Sequence, residues 1–274
     1  LLPKTMPICL PSFAGVAQPA SGGGGFSNEY SVSFDGTNDY VSTSSFNLTT
    51  NKTVSFWLKL NSISSAGVYL FGKGASYYSY ITANGQTMYK WDGSAAPSIS
   101  ISAANAISTG SWQHIVITGD GSSSVLYKNG TSIGTGGDVT PTGLDRFAGD
   151  SAGGSRFIDG LMDEVAVWDA TLSADDVTAI YDSGVPNDLK SASSYDTDRT
   201  SNLVHWWRMG ENDGGSGTTI TDQGSGSNDG TLTNGPTFST SVPEYVFNQY
   251  SVSFDGSDDY LEVPRDDGLN NSTL

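Results

Sequence analysis

The run DGLMDEV holds three carboxylates, Asp159, Asp163 and Glu164, and is the best place in this chain to look for acid–base chemistry. Cleaving a glycosidic bond needs an acid pair roughly 5–10 Å apart across a cleft. Side chains alternate along a strand, so the neighbours Asp163 and Glu164 are expected on opposite faces, which speaks against such a pair. The same alternation places Asp163 on the inward side with Val165 and Val167, where a carboxylate needs a partner or a metal. The two histidines, His114 in WQHIVIT and His205 in LVHWW, sit in no recognisable nucleophile arrangement, and His114 reads as a structural residue at a strand start. GTGG and GGSG are turn glycines, since neither a Lys nor a strand–loop–helix unit accompanies them. Sugar recognition needs an aromatic plane with planar polar groups at a loop rim. GASYYSYITANG and YKWDG supply Tyr77, Tyr78, Trp91 and Asp92 for it. Trp57, Trp112 and Trp168 lie inside strand-like motifs and read as structural.

The elements that must position these residues are short strands. TVSFWLKL sets Val54, Phe56, Leu58 and Leu60 on one face, and YSVSF does the same with Val32 and Phe34. Asn84-Gly85, Asp92-Gly93 and Asn129-Gly130 suit tight hairpins, because these residues accept positive φ. About ten such runs with almost no helix predict an all-β, antiparallel two-sheet sandwich. One helix is expected in LSADDVTAIYDSG: Ser173 and Asp176 form a capping box, Val177, Ile180 and Tyr181 share a face, and Gly184 closes the C-terminus. Residues 185–201 are polar and irregular, a boundary.

Only 36% of the 274 residues are hydrophobic, yet 11% are aromatic, which fits a folded chain with a modest core and much loop. The net charge of −17, with only 12 scattered Lys and Arg, excludes nucleic acid as a partner and suits neutral sugars and hard cations. A single cysteine, Cys9, excludes internal disulfides and multi-cysteine zinc sites. No stretch approaches the roughly 18 apolar residues of a membrane span.

YSVSFDGTNDY (30–40) returns almost unchanged as YSVSFDGSDDY (250–260), 220 residues later. Together with TVSFWLKL, SWQHIVITGDG, LYKNGTSIG and FIDGLMDEVAVWDATLSADDVTAIYDSG, the first copy resembles the LamG-like jelly rolls of the concanavalin A-like lectin/glucanase group, whose members include laminin G domains and pentraxins. The resemblance implies a jelly roll over 28–188 with one short C-terminal helix, after an N-terminal lead and Gly/Ser linker (1–27). NLVHWWRMGE, DQGSGSNDGT and the second FDG strand stand in the family's order, implying a linker (189–201) and then a partial second jelly roll (202–274). With a Leu at its start, the chain is expected to be a fragment of a longer multi-domain protein, the alternative being a half unit completed by another subunit. At least one of Trp206 and Trp207, on opposite faces of their strand, is expected at the surface of that partial unit.

The family's glucanase Glu-x-Asp-x-x-Glu spacing is absent, so no enzymatic activity is expected. The resemblance implies a structural Ca²⁺ held by Asp39 and Asp163 with backbone oxygens near Gly36. It also implies a surface-displayed, extracellular module similar to phage virion proteins and secreted bacterial adhesins. Such a module would bind host surface polysaccharide and assemble with itself or other virion subunits, without membrane insertion; the alternative is a structural spacer that binds no sugar.

Overall fold

In the computed structural model, residues 26–73, 77–81, 87–88, 102–103, 107–149 and 156–244 are described. The strands in chain order are β1 (Ser31–Asp35), β2 (Tyr40–Phe46), β3 (Lys52–Ser62), β4 (Val68–Lys73), β5 (Tyr77–Ile81), β6 (Thr87–Met88), β7 (Ser102–Ala103) and β8 (Gln113–Gly119). They continue as β9 (Ser123–Lys128), β10 (Thr131–Gly137), β11 (Leu144–Phe147) and β12 (Asp159–Trp168). After helix α1 (Ala174–Tyr181) come β13 (Leu203–Trp207), β14 (Thr219–Ile220), β15 (Gly230–Thr233) and β16 (Thr237–Ser239). They form two antiparallel eight-stranded sheets: the first ordered β10-β9-β8-β3-β12-β1-β16 with β13 also on β12, the second β14-β15-β2-β11-β4-β5-β6-β7.

The predicted alternation produces the main core. Val54, Phe56, Leu58 and Leu60 of β3 share the inner face of the first sheet with Val32, Phe34, Ile115 and Ile117 and pack in one core with the second sheet's Val41, Leu70, Phe71 and Phe147. A second apolar layer lies on the other face of the first sheet. There Val116, Ala166, Trp168 and Trp206 pack beneath Val177 and Ile180 of α1 and Leu189 and Tyr195 of the connector that follows. The capping box forms as expected, with Ser173 accepting from the Asp176 N–H and Asp176 accepting from the Ser173 N–H. The C-cap is Asp182 in the left-handed region (φ 41°), two residues before the expected Gly184. Asn129 (φ 50°) and Gly130 (φ 75°) make the β9–β10 turn with both positive φ values.

Residues 203–239 depart from the expectation of a separate sandwich, because their four strands complete the one already described. β13 pairs with the upper half of β12, with Val165 opposite Trp207. β15 pairs with β2, and β16 pairs with β1. Trp206 and Trp207 do take opposite faces, but both are buried: Trp207 joins the inter-sheet core beside Phe46 and Phe147, and Trp206 joins the outer layer. The reason is geometric. β12 is ten residues long and β1 covers only Asp159–Met162, so its remaining edge is open to another strand. The connector from α1 to β13 is itself packed, with Leu189 and Tyr195 buried in the outer layer beside Leu203 of β13.

Candidate functional site

A cleft of about 660 Å³ opens on the outer face of the first sheet. Its aromatic lining is Trp57 of β3, Trp112 of the loop before β8, and Tyr181 at the end of α1; Lys59, Asn129 and Glu244 add polar groups. Trp57 and Lys59 reach it because they alternate with Phe56, Leu58 and Leu60, which point into the core. Trp57 pairs across the ladder with His114, and their rings stack at 4.8 Å. Tyr181 stacks on both, 5.9 Å from Trp57 and 6.0 Å from His114. A Cβ at Gly130 would stand 3.1 Å from the Tyr181 ring, so this turn glycine lets the helix end approach. Trp112 is fixed by its neighbour Gln113, whose amide accepts from the Ser108 N–H (3.0 Å) and donates to the Ser108 carbonyl (2.7 Å). Among the described residues the buried Trp112 Nε1 has no hydrogen-bond acceptor. The cleft thus joins the half-buried rings of Trp112 and Tyr181 with the hydroxyls of Ser111, Ser183 and Ser241, over a Trp57 ring that is 3% exposed. Such a surface can stack a sugar ring and bond its hydroxyls.

His114 is structural, as expected. It is 2% exposed, bonds Ser55 Oγ through Nε2 at 2.7 Å, and burial pushes its pKa down to about 3, so it stays neutral. This Ser–His pair lies under the Trp57–Tyr181 stack, and Ser55 is buried as well. His205 pairs with Asp222 at 2.6 Å, also buried, and stacks on Trp207.

The expected ligand set of Asp39, Asp163 and Gly36 does not come together. Gly36 (φ 78°) and Asp39 sit at the end of β1, where Asp35 pairs with Asp159. Four residues further along β12, roughly 13 Å away, stands Asp163. Asp163 is buried on the outer face rather than the inward one, paired with Trp57, because a bulge inserts an extra residue between Asp163 and Ala166. Glu164 occupies that bulge with φ 47°, so the two acids do not simply face opposite ways. Their carboxylates and that of Glu211 approach within 4.8 Å of one another.

These three acids fasten the start of the chain's described part. Asn28 donates to Asp163 (2.9 Å), the N–H groups of Glu29 and Tyr30 donate to Glu211 (2.9 Å each), and Arg208 donates to Glu164 (3.1 Å) and to the Ser27 carbonyl. Phe26 stacks on Trp206 with Arg208 over its ring. Burial, with the charges of Glu164 and Glu211, raises Asp163 well above the ordinary carboxylate range. Burial outweighs Arg208 to bring Glu164 to about 7, and burial raises Glu211. The folded state therefore holds protons that the unfolded chain releases above about pH 4.5, and stability falls as pH rises from there through about 7. The melting temperature should be higher at pH 5 than at pH 8, and Glu164→Gln should flatten that difference.

For a cation, Asp39 fits on one count. It is 3% exposed, its Oδ2 accepts from the Asp35 N–H (3.0 Å), and its buried Oδ1 has no partner among the described residues. Burial raises its pKa, opposed by the Asp35 N–H and assisted by the Asp35 charge. Asp159 nearby is already engaged by Asn61 and Ser62.

Of the expected sugar contacts, Tyr77 and Tyr78 lie in β5 of the second sheet, in register with Lys73 and Gly72, and so away from the cleft. Trp91 and Asp92 lie outside the described residues. Trp112, read as structural, lines the cleft half-buried, while Trp57, which borders it, is 3% exposed and Trp168 is wholly buried, as expected of both. The overlooked signal was a large aromatic on the non-core phase of TVSFWLKL.

Comparison with known proteins agrees with this architecture. A family model of laminin G type, described as concanavalin A-like lectin/glucanases superfamily, matches residues 35–178, just over half the chain. Among solved structures, a candidate carbohydrate-binding protein from Bacteroides ovatus superposes with a TM-score of 0.55 at 17% identity, covering 81% of this chain; the chain spans 63% of that protein. A heptameric SAP-like pentraxin from Limulus polyphemus gives a TM-score of 0.46 at 18% identity, covering 56% of this chain and 82% of the pentraxin. A search of curated proteins finds no match. Among the described residues, no helix is long and apolar enough to cross a membrane. With more than half its length matched by the family model and the two-sheet sandwich in place, the chain belongs to the laminin G-like family of the concanavalin A-like lectin/glucanases superfamily.

Proposed function

We propose that the chain is a non-catalytic, surface-displayed glycan-binding jelly roll. The observation that carries this reading is the cleft in which the half-buried rings of Trp112 and Tyr181 stand beside Lys59, Asn129 and three serine hydroxyls, with the buried Trp57 beneath them. The net charge of −17 favours a neutral polysaccharide over an acidic one. The likeness to the Bacteroides ovatus protein is one of fold, and its described binding of carbohydrate supports the reading by analogy. A place on a virion fibre or a secreted adhesin, outside the cell and facing host polysaccharide, is the setting we assign to such a module. Self-assembly would supply the avidity that single clefts lack.

Titration of the purified chain against a panel of bacterial surface polysaccharides tests this. A neutral glycan should bind, and Trp112→Ala should weaken it by about tenfold or more. Equal binding by wild type and variant would move the site elsewhere, and no binding at all, with self-assembly retained, would leave a structural spacer. Ca²⁺ seated at Asp39 would be a structural ion. Its addition should raise the melting temperature of the wild type but not of Asp39→Asn, and a chelator should have no effect on binding beyond that stability change.

A further inference from the structure

β1 fills a slot with exacting demands. Val32 and Phe34 enter the core, with β12 on one side and β16 on the other. Tyr30 lies against two glycines, where a Cβ at Gly210 or Gly215 would come within 2.9 or 2.3 Å of it. Its N–H donates to Glu211 at 2.9 Å. Ser31 Oγ donates to the Ser241 carbonyl at 2.8 Å, and Asp39 accepts from the Asp35 N–H at 3.0 Å.

Residues 250–260 restate each of these demands. Tyr250, Ser251, Val252, Phe254, Asp255, Gly256, Asp259 and Tyr260 match their counterparts, and the two stretches differ only where Thr37 and Asn38 become Ser257 and Asp258. These residues lie outside the described part of the structure, which ends at residue 244, just after β16. β16 runs antiparallel to β1 with Ser239 opposite Ser31. A strand at 251–255 in the place of β1 would set Ser251 opposite Ser239 and close a hairpin whose loop is residues 240–250. β1 itself meets β16 only across the whole sandwich sequence, so the hairpin closes with the smaller loss of loop entropy. Of the partners that receive β1, β12 lies earlier in the chain, while β16, Gly210, Glu211 and Gly215 belong to the stretch just before the copy.

We propose that residues 251–255 are a second occupant for the β1 slot, so that the 203–239 segment has two interchangeable strands competing to complete it. β1 holds the slot in the structure, and disabling it hands the slot to the copy. In that exchange Val252 and Phe254 would take the core positions of Val32 and Phe34.

The test uses the full chain carrying Phe34→Asp, Phe254→Asp, or both. Phe254→Asp alone should leave the melting transition unchanged, because the copy is not the seated strand. Phe34→Asp alone should keep a cooperative transition, whereas the double variant should lose it. A Thr237→Cys/Ser253→Cys pair, in a Cys9→Ser background, should cross-link within one chain only when Phe34→Asp is present, since Thr237 stands opposite Ser33. If Phe34→Asp and the double variant lose the transition alike, or keep it alike, the copy does not serve the slot and the proposal fails.

Discussion

Trp207→Ala should lower stability by about 3–5 kcal/mol, the usual penalty for emptying a large aromatic from a packed core. For a domain of this size that is a drop in melting temperature on the order of 10 °C. Trp207 is fully buried, packs on Phe147 (5.3 Å between ring centres) and Phe46 (5.9 Å), and donates its indole N–H to the Asn228 carbonyl at 2.8 Å. Every apolar neighbour named here belongs to the part of the chain before residue 200, so the loss must appear in the main unfolding transition. A calorimetric scan in which Trp207→Ala leaves that transition in place, or shifts only a separate minor one, would mean that residues 203–239 fold apart from the first sandwich.

Asp138→Ala should cost about as much, roughly 3–5 kcal/mol, by a different route. Lys52 and Asp138 form an ion pair between side chains that are 2% and 0% exposed. Asp138 also accepts from the Gly121 N–H (2.8 Å) and from Ser124 Oγ (2.7 Å). Removing the carboxylate leaves a buried ammonium whose other acceptor is the Thr50 carbonyl at 3.3 Å, along with two donors stripped of their partner. The double variant Lys52→Met/Asp138→Leu removes both charges and should recover most of the loss in urea denaturation, because a buried pair adds little over apolar residues of similar volume. A double variant as unstable as Asp138→Ala would locate the loss in packing rather than in the stranded charge.

Much of the sandwich was legible because it follows local rules. The period of two in TVSFWLKL fixes which of its residues enter the core, and the Ser173–Asp176 box fixes where the helix starts. What escaped was non-local. The alternation rule misplaced Asp163 because a left-handed Glu164 shifts the phase, and no residue type in DGLMDEV announces a bulge there. The strand LVHWW was recognised with its alternating tryptophans, but a strand's own pattern does not name its partner; the open half of β12 does. The cleft was hidden for the same reason, since β3, the loop before β8, the end of α1 and the stretch after β16 each contribute part of it. Tyr77 and Tyr78 satisfied the compositional requirement for sugar binding, yet their strand belongs to the other sheet.

The most direct test of the account is to follow the tryptophan indole N–H signals by NMR while a bound oligosaccharide is titrated in. The expected result is that the signal of Trp112, half-buried at the cleft, moves in step with saturation, while those of Trp168, Trp206 and Trp207, buried in the two apolar layers, stay fixed. Saturation with the Trp112 signal unmoved would contradict the cleft as the glycan site.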